Sequence, residues 1–324
     1  MQARLKNDQL QMVQLGGQTM GTAYQVTIAN PHMRDIEQLG QRIFDVVDQV
    51  DQQMSTYKVR SDICRFNAAP CGFWLELPRE MLVVLKTAIE MAHQSCGAFD
   101  PTVFDVVDKW GFGPSDRSST AEIFSPNTRP DGLSSIELDA ARGKAIKHGD
   151  VKIDLCGIAK GYGVDQIANV LQCVGIFDFL VEIAGEVFAS GTAADGSPWR
   201  LGLELPIPDR RVIYRYLDVK DIGVATSGGY RNFVEIDDVI YSHTIDPRTR
   251  LPVQTDILCV TVAHKDCMHA DALATALQVM GLKKALDFAN KKNISAMFLS
   301  RSGQDGFTET QSEAFCSMFG LPDD

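Results

Sequence analysis

Several familiar signatures are missing from this 324-residue chain, and each absence narrows the reading. Its eight cysteines (Cys64, Cys71, Cys96, Cys156, Cys173, Cys259, Cys267 and Cys316) include no CxxC pair, which argues against a zinc ribbon or a thioredoxin-like site. No apolar run is long enough to span a bilayer. The first twenty residues are polar and lack the apolar centre of a signal peptide. Either the protein is cytosolic or an export signal has been removed from the chain. There is no GxxxxGK[ST] phosphate loop, no GxGxxG dinucleotide fingerprint in the glycine-rich stretch and no GxSxG elbow. Positive charge is scarce. With 31 Lys and Arg against 42 Asp and Glu, the net charge is −11, which argues against a nucleic-acid binder. A small anionic ligand remains compatible, because a metal ion and a few cations can reverse the field inside one cleft.

What is present suits an ordinary globular domain: 45 % apolar and 23 % charged residues, enough for a core without staples. Most of the cysteines have apolar neighbours and read as small buried hydrophobes; their even number leaves disulfides possible. Residues 1–16 read as a polar lead-in, with the domain running from about 18 to 324. No Pro/Gly/Ser-rich linker divides it. Alternation predicts a strand over 22–29, and Ile36, Leu39, Ile43, Val46, Val47, Val50 and Met54 form one helical stripe. Pro78 and Glu80 open a second helix through about His93, and residues 111–135 read as a long loop. Further along, the pattern predicts a strand at 151–155, a turn over Gly157–Gly163, a helix at 164–173, a buried strand at 178–189 and another near 200–205. A hairpin over 231–245 turns at Asp237 and Asp238, followed by a strand at 257–263 and a helix at 268–280. Hairpins mixed with long helices indicate an α+β fold.

Five segments carry chemistry. Asp271 and Thr275, four apart on a helix, share a face opposite Leu273, Ala276, Leu277 and Met280. Carboxylate and hydroxyl are hard ligands suited to Mg²⁺; the alternative is a solvated face with nothing bound. Asp154 to Gly163, with Lys160 inside it, joins a glycine-rich turn to a helix start and suits a phosphate, or simply packs strand on helix. Thr226-Ser227-Gly228-Gly229 is a second small-residue loop. His243, beside the turn Ile245-Asp246-Pro247, could be a general base or a structural histidine. Phe99, in Gly97-Ala98-Phe99-Asp100-Pro101, could stack on a planar ring or pack in the core. His264, Cys267 and His269 are close in sequence, but no CxxC or HxxxH partner accompanies them, so the spacing does not make a zinc motif.

Taken in order, the motifs resemble the ApbE family of flavin transferases. The matches are Met20-Gly21-Thr22, Met54 to Tyr57 with Ser61 to Asn67, Gly97 to Pro101 with Trp110-Gly111-Phe112, Asp154 to Gly163, Gly185-Glu186, Ser227 to Gly229, His243 to Pro247 and Ala270 to Ala276. The resemblance implies a T-fold-like α+β architecture of mixed and antiparallel sheets with packed helices. It implies FAD lined by Met20, Tyr57, Ala98, Phe99, Asp100, Asp154, Lys160, Ser227 and Ile245. It implies Mg²⁺ held by Asp271, Thr275 and the carbonyls of Gly157 and Ala274, with His243, Asp271 and Lys160 in catalytic roles and Asp154 or Asp246 as alternatives to His243 for the base. The implied reaction moves FMN from FAD to a Ser/Thr hydroxyl of an acceptor flavoprotein, a subunit of a membrane redox complex, and releases AMP. An FAD pyrophosphatase and a non-catalytic flavin-binding protein are the alternatives. The same resemblance implies a periplasmic, inner-membrane-anchored location, with the cytoplasm as the alternative.

Overall fold

The computed structural model describes residues 12–31, 36–115, 132–207, 210–229, 233–236, 239–303 and 306–320. Chain order begins with the hairpin β1 (Met12–Thr19) and β2 (Thr22–Ala29), then helices α1 (Ile36–Met54) and α2 (Asp62–Ala68). After β3 (Leu75–Glu76) come α3 (Arg79–Gln94) and α4 (Phe104–Lys109), then β4 (Ile136–Asp139) and β5 (Lys144–Lys147). Helix α5 (Cys156–Cys173) leads into five strands: β6 (Phe179–Ile183), β7 (Glu186–Ser190), β8 (Trp199–Glu204), β9 (Ile213–Val219) and β10 (Ile222–Gly228). Two small hairpins follow, β11 (Phe233–Ile236) with β12 (Val239–Ser242), and β13 (Ile245–Asp246) with β14 (Leu251–Pro252). The chain closes with β15 (Ile257–His264), α6 (Cys267–Met280), α7 (Leu282–Lys292), β16 (Ser295–Ser302), β17 (Gly306–Gln311) and α8 (Glu313–Phe319).

Eight strands form one sheet in the order β1-β2-β6-β7-β10-β15-β16-β17. Every neighbouring pair in it is antiparallel, so the fold is α+β. Both faces are covered, and side-chain alternation sorts the central strands between two cores. On β15 and β16, Val260, Val262, Ala296 and Phe298 point to the face that carries α3, α5 and α6. Cys259, Ala263, Met297 and Leu299 point to the other, against the β8–β9 hairpin and Phe315 of α8. Burial on both sides makes these strands read as unbroken apolar runs. No helix among the described residues is long and apolar enough to cross a membrane.

The sheet corrects several sequence expectations. Strand β1 begins at Met12, inside the stretch read as a polar lead-in. The single strand expected at 178–189 is two, β6 and β7, joined at Ala184 and Gly185, both with positive φ. Residues 151–155 do not join a sheet; Asn67 satisfies Ile153 on both sides, accepting from its amide at 2.8 Å and donating to its carbonyl at 2.9 Å. The stretch Gly157–Gly163, expected as a turn, is the first half of α5. Of the cysteines, only Cys259 and Cys267 are buried; Cys71, Cys96, Cys156 and Cys173 are exposed, and all eight are free thiols. Most of the 111–135 loop and the turn at Asp237 and Asp238 lie outside the described residues.

Packing explains the α5 helix where propensity does not. Gly161 sits where α5 crosses α6, and a Cβ there would lie 2.7 Å from the Cys267 carbonyl carbon and 2.9 Å from Asp271 Cβ. The missing side chain is what lets the two backbones approach, which outweighs glycine's low helix propensity. Asp165, one turn later on α5, ties the start of α6 by accepting from Cys267 N at 2.8 Å and Met268 N at 2.9 Å.

Gly161→Ala should therefore lower stability by about 1–3 kcal/mol through overpacking, read as a lower denaturant midpoint at unchanged slope. Burial pushes the Asp165 carboxyl up to about 7, despite the two amides that favour its ionised form. A raised carboxyl pKa means the folded state holds a proton that the unfolded chain has released. The penalty is absent below the ordinary carboxyl pKa and grows as pH rises toward about 7. Relative to Asp165→Asn, the wild type should lose stability steadily between these limits in pH-dependent unfolding; parallel curves would refute this.

Candidate active site between helices α5 and α6

The helix crossing places charge in a buried setting. Asp271 on α6 and Lys160 on α5 face one another, and Glu186, the first residue of β7, closes the group from the sheet. Lys160 Nζ lies 2.6 Å from Glu186 Oε1 and 3.6 Å from Asp271 Oδ2. The Glu186 and Asp271 side chains are only 5 % and 6 % exposed. Burial opposes the charge on Lys160, but the Asp271 and Glu186 carboxylates outweigh it and hold its pKa above the ordinary value. Burial likewise raises the Glu186 carboxyl, against the pull of Lys160. The second Glu186 oxygen, Oε2, is buried without a hydrogen-bond partner, an unmet acceptor beside a metal-capable carboxylate.

Asp271 is not on a solvated face, as one reading of the sequence allowed; it is 4 % exposed and shielded by α5. Its Oδ2 accepts a hydrogen bond from Gly161 N at 3.0 Å. In a regular helix that amide closes on the carbonyl four residues back, that of Gly157. The carboxylate thus competes with the Gly157 carbonyl for the same donor. A Cβ at Gly157 would lie 3.2 Å from Thr275 Oγ1 and 3.3 Å from Phe99 Cε2, so Gly157, Thr275 and Phe99 share one small space. Ala274, on the same turn of α6, is buried. Carboxylate, hydroxyl and backbone carbonyl are hard oxygen donors, and the set fits Mg²⁺.

Other predicted residues gather around this centre. Asp154 ends the segment entering α5, accepting from Cys156 N at 2.8 Å, and its own amide donates to Pro101 O at 2.7 Å. The 97–101 turn is thereby fastened to the start of α5. Tyr57, largely exposed, donates to the Phe112 carbonyl at 2.6 Å. Burial, then the charges of Cys156, Asp154 and Asp108, raise its phenol pKa. The Phe112 ring meets His243 edge-on, with centroids 6.2 Å apart. Phe112, assigned no role from sequence, thus joins Tyr57 to His243.

The remaining residues sit at the margins. Met20, at the tip of the β1–β2 hairpin, rests its Cε over Gly163. Ile245 is buried with Val106 and Trp110, and Ala98 is buried too, so both back the site from the core. Thr226 to Gly228, expected as a loop, are instead the end of β10, paired with β15, and Gly229 just beyond approaches Ser242 beside the His243 turn. Asp100 caps its own turn, its Oδ1 accepting from Thr102 N and Thr102 Oγ1, both at 2.7 Å. Asp100, Gly97, Thr102, Pro247 and Arg250 line a cleft of about 620 Å³. Lys160, Asp271 and Thr275 do not line it; its link to the start of α5 is Pro101, between Asp100 and Thr102, whose carbonyl accepts from Asp154 N. Asp246 is held by Arg248 through Nε and Nη2, both at 2.8 Å. Burial works against its charge, but those hydrogen bonds keep its pKa below the ordinary carboxylate value, which makes it a poor base.

Glu186 carries a role that the sequence hid, since the only local signal was the glycine of a hairpin turn before it. Removing the cation it shares with Asp271 should expose its importance. Lys160→Met should cost about 3–5 kcal/mol by leaving buried carboxylates unpaired, and adding Glu186→Gln should restore part of that loss in chemical denaturation. A double variant no more stable than the single one would contradict the pairing.

The model of the ApbE family matches residues 20–298. The chain is 37 % identical over 308 residues to the FAD:protein FMN transferase of Vibrio cholerae, covering 94 % of this chain and 92 % of that protein. The solved structure of the flavin transferase ApbE from Vibrio cholerae superposes with a TM-score of 0.86 at 35 % identity, over 96 % of this chain and 100 % of that one. The apo form of the Pseudomonas stutzeri flavinyl transferase ApbE gives a TM-score of 0.86 at 35 % identity, over 97 % and 98 % of the two chains. A family match across most of the length, with the motifs converging on one helix crossing, makes this chain a member of the ApbE family.

Proposed function

We propose that the chain transfers FMN from FAD to a serine or threonine hydroxyl of an acceptor flavoprotein, with release of AMP. The observation that carries this reading is the buried set of hard oxygen donors at the α5–α6 crossing, with Lys160 3.6 Å from Asp271 and the 97–101 turn fastened to the start of α5. A protein that only stores flavin has no use for such a set.

Phosphoryl transfer asks for positioning and charge neutralisation more than for covalent chemistry. Asp271, Thr275 and the carbonyls of Gly157 and Ala274 would hold Mg²⁺, which when bound neutralises charge on the phosphate oxygens. Lys160 adds positive field from the α5 side. Phe99, Tyr57, Met20 and Ile245, with Ala98, Asp100, Asp154 and Ser227, form the flavin nucleotide's surroundings in this reading. The acceptor oxygen forms a bond to the flavin-side phosphorus, and the bridging P–O bond to AMP breaks. The hydroxyl proton passes to a base. His243 is the residue we assign: Phe112 positions its ring, and Asp246 is disqualified by Arg248. By the same reading, which here rests on the family resemblance alone, the acceptors are subunits of membrane redox complexes and the enzyme works on the periplasmic side.

Mass spectrometry of an acceptor domain incubated with the protein, FAD and Mg²⁺ should show a gain equal to one FMN, abolished by EDTA. Asp271→Ala should lower transfer by about 100-fold or more while far-UV circular dichroism stays native. Free FMN and AMP with an unmodified acceptor would mark a pyrophosphatase, and intact FAD throughout would mark a binding protein.

A further inference from the structure

A second cluster of ligating side chains sits at the opposite end of α6 from Thr275. His264 ends β15, Asp266 caps α6 and His269 lies in its first turn. His269 Nδ1 is 2.6 Å from Asp266 Oδ1, and His264 Nδ1 is 3.2 Å from Asp266 Oδ2. One ligand atom from each residue falls within a 4.8 Å sphere of mutual distances. The two imidazoles lie side by side with centroids 5.0 Å apart. Around a tetrahedral zinc ion, ligand atoms at ordinary bond lengths are about 3.4 Å from one another. The His264–Asp266 separation of 3.2 Å is near that value already, and the His269 contact needs to open by less than an ångström.

The backbone beneath is fixed before any ion arrives. Gly223 of β10 pairs with His264, and a Cβ on Gly223 would lie 2.6 Å from Cys267 N and 2.7 Å from the Asp266 carbonyl carbon. The connection between β15 and α6 therefore lies flat on the strand. Asp165 anchors it from α5 through the amides of Cys267 and Met268, and Asp266 itself accepts from His269 N at 2.9 Å. Ligands on a rigid base lose little freedom on binding. Two carboxylates, Asp165 and Asp266, converge here and offset the positive end of the helix dipole that would otherwise repel a cation. The three side chains are about one-third exposed, which leaves room for water in the open positions. Cys267, the residue the sequence placed between the two histidines, is fully buried with Sγ toward the Val224 carbonyl, so the carboxylate takes the position a thiolate would have filled.

We propose that His264, Asp266 and His269 form a second metal site, for a borderline divalent ion such as zinc, separate from the hard-oxygen site at Asp271. Two imidazoles and one carboxylate favour zinc over Mg²⁺. At each imidazole the ion takes the Nδ1 lone pair while the ring proton sits on Nε2, the tautomer in which His264 Nδ1 accepts from Asp266 N at 3.4 Å. It pins the first turn of the helix whose next turn carries Asp271 and Thr275.

The test is a Co²⁺ and Zn²⁺ titration of the full chain with excess Mg²⁺ present. The expected result is one equivalent of Co²⁺ with visible bands of nitrogen and oxygen coordination and no thiolate charge transfer, displaced by Zn²⁺, with Zn²⁺ raising the melting temperature. His264→Ala and His269→Ala should each weaken binding by about 100-fold or more, whereas Asp271→Ala should retain it. Circular dichroism checks folding, and His264→Gln and His269→Gln replace any truncation that unfolds. Absence of a one-equivalent event, a thiolate band, or affinity unchanged in both folded histidine variants overturns the proposal.

Discussion

Everything at this site hangs on how closely two helices can pass. At Gly161 there is no side chain to hold α5 and α6 apart, so the Asp271 carboxylate reaches the α5 backbone and takes the Gly161 amide at 3.0 Å. Lys160, the preceding residue, is carried to the same place. A lysine and two carboxylates buried together would be costly if any stood alone; at contact distance they offset one another's desolvation. Charges in such a setting are weakly screened from one another.

The sequence disclosed patterns better than it disclosed packing. The stripe over Ile36–Met54 and the alternation in Thr22–Ala29 appear as read because one periodic face meets one core, and the apolar run of Ile257–His264 appears because both of its faces are covered. The face shared by Asp271 and Thr275 was also legible, since helix geometry fixes it. Its surroundings were not: a second helix covers it, and burial by a partner element leaves no mark on local periodicity. The misreading of Gly157–Gly163 has the same root. Glycine's intrinsic preference argues for a turn, and only the close crossing, a contact 110 residues distant, overrides it. Residues 151–155 have a strand's composition but are paired by the Asn67 side chain, which imitates a neighbouring strand. Glu186 was quoted within a motif yet given no task, because its partner Lys160 comes from another element 26 residues away.

Helix α6 offers two contrasting ligand environments along one rod. Its middle presents oxygen atoms alone, while its first turn presents imidazole nitrogens around a carboxylate. Under the two proposals above, discrimination between metals would follow from donor chemistry at each place. The imidazole cluster is about one-third exposed whereas Asp271 is buried, so the two places also differ in their access to water.

The sheet order has a kinetic consequence. Strand β2 pairs with β6, and the Gly161–Asp271 contact spans 110 residues, so the elements that frame the site come from distant parts of the chain. Long-range pairings must pay their loop-closure entropy before they return any stabilisation, which slows folding. A ribosome that has released the chain only as far as β6 and β7 exposes α5 without α6, its glycine-rich face uncovered. The α5–α6 centre therefore comes into existence only once nearly the whole sequence has been made, and a nascent chain has no half-built centre with which to capture nucleotide.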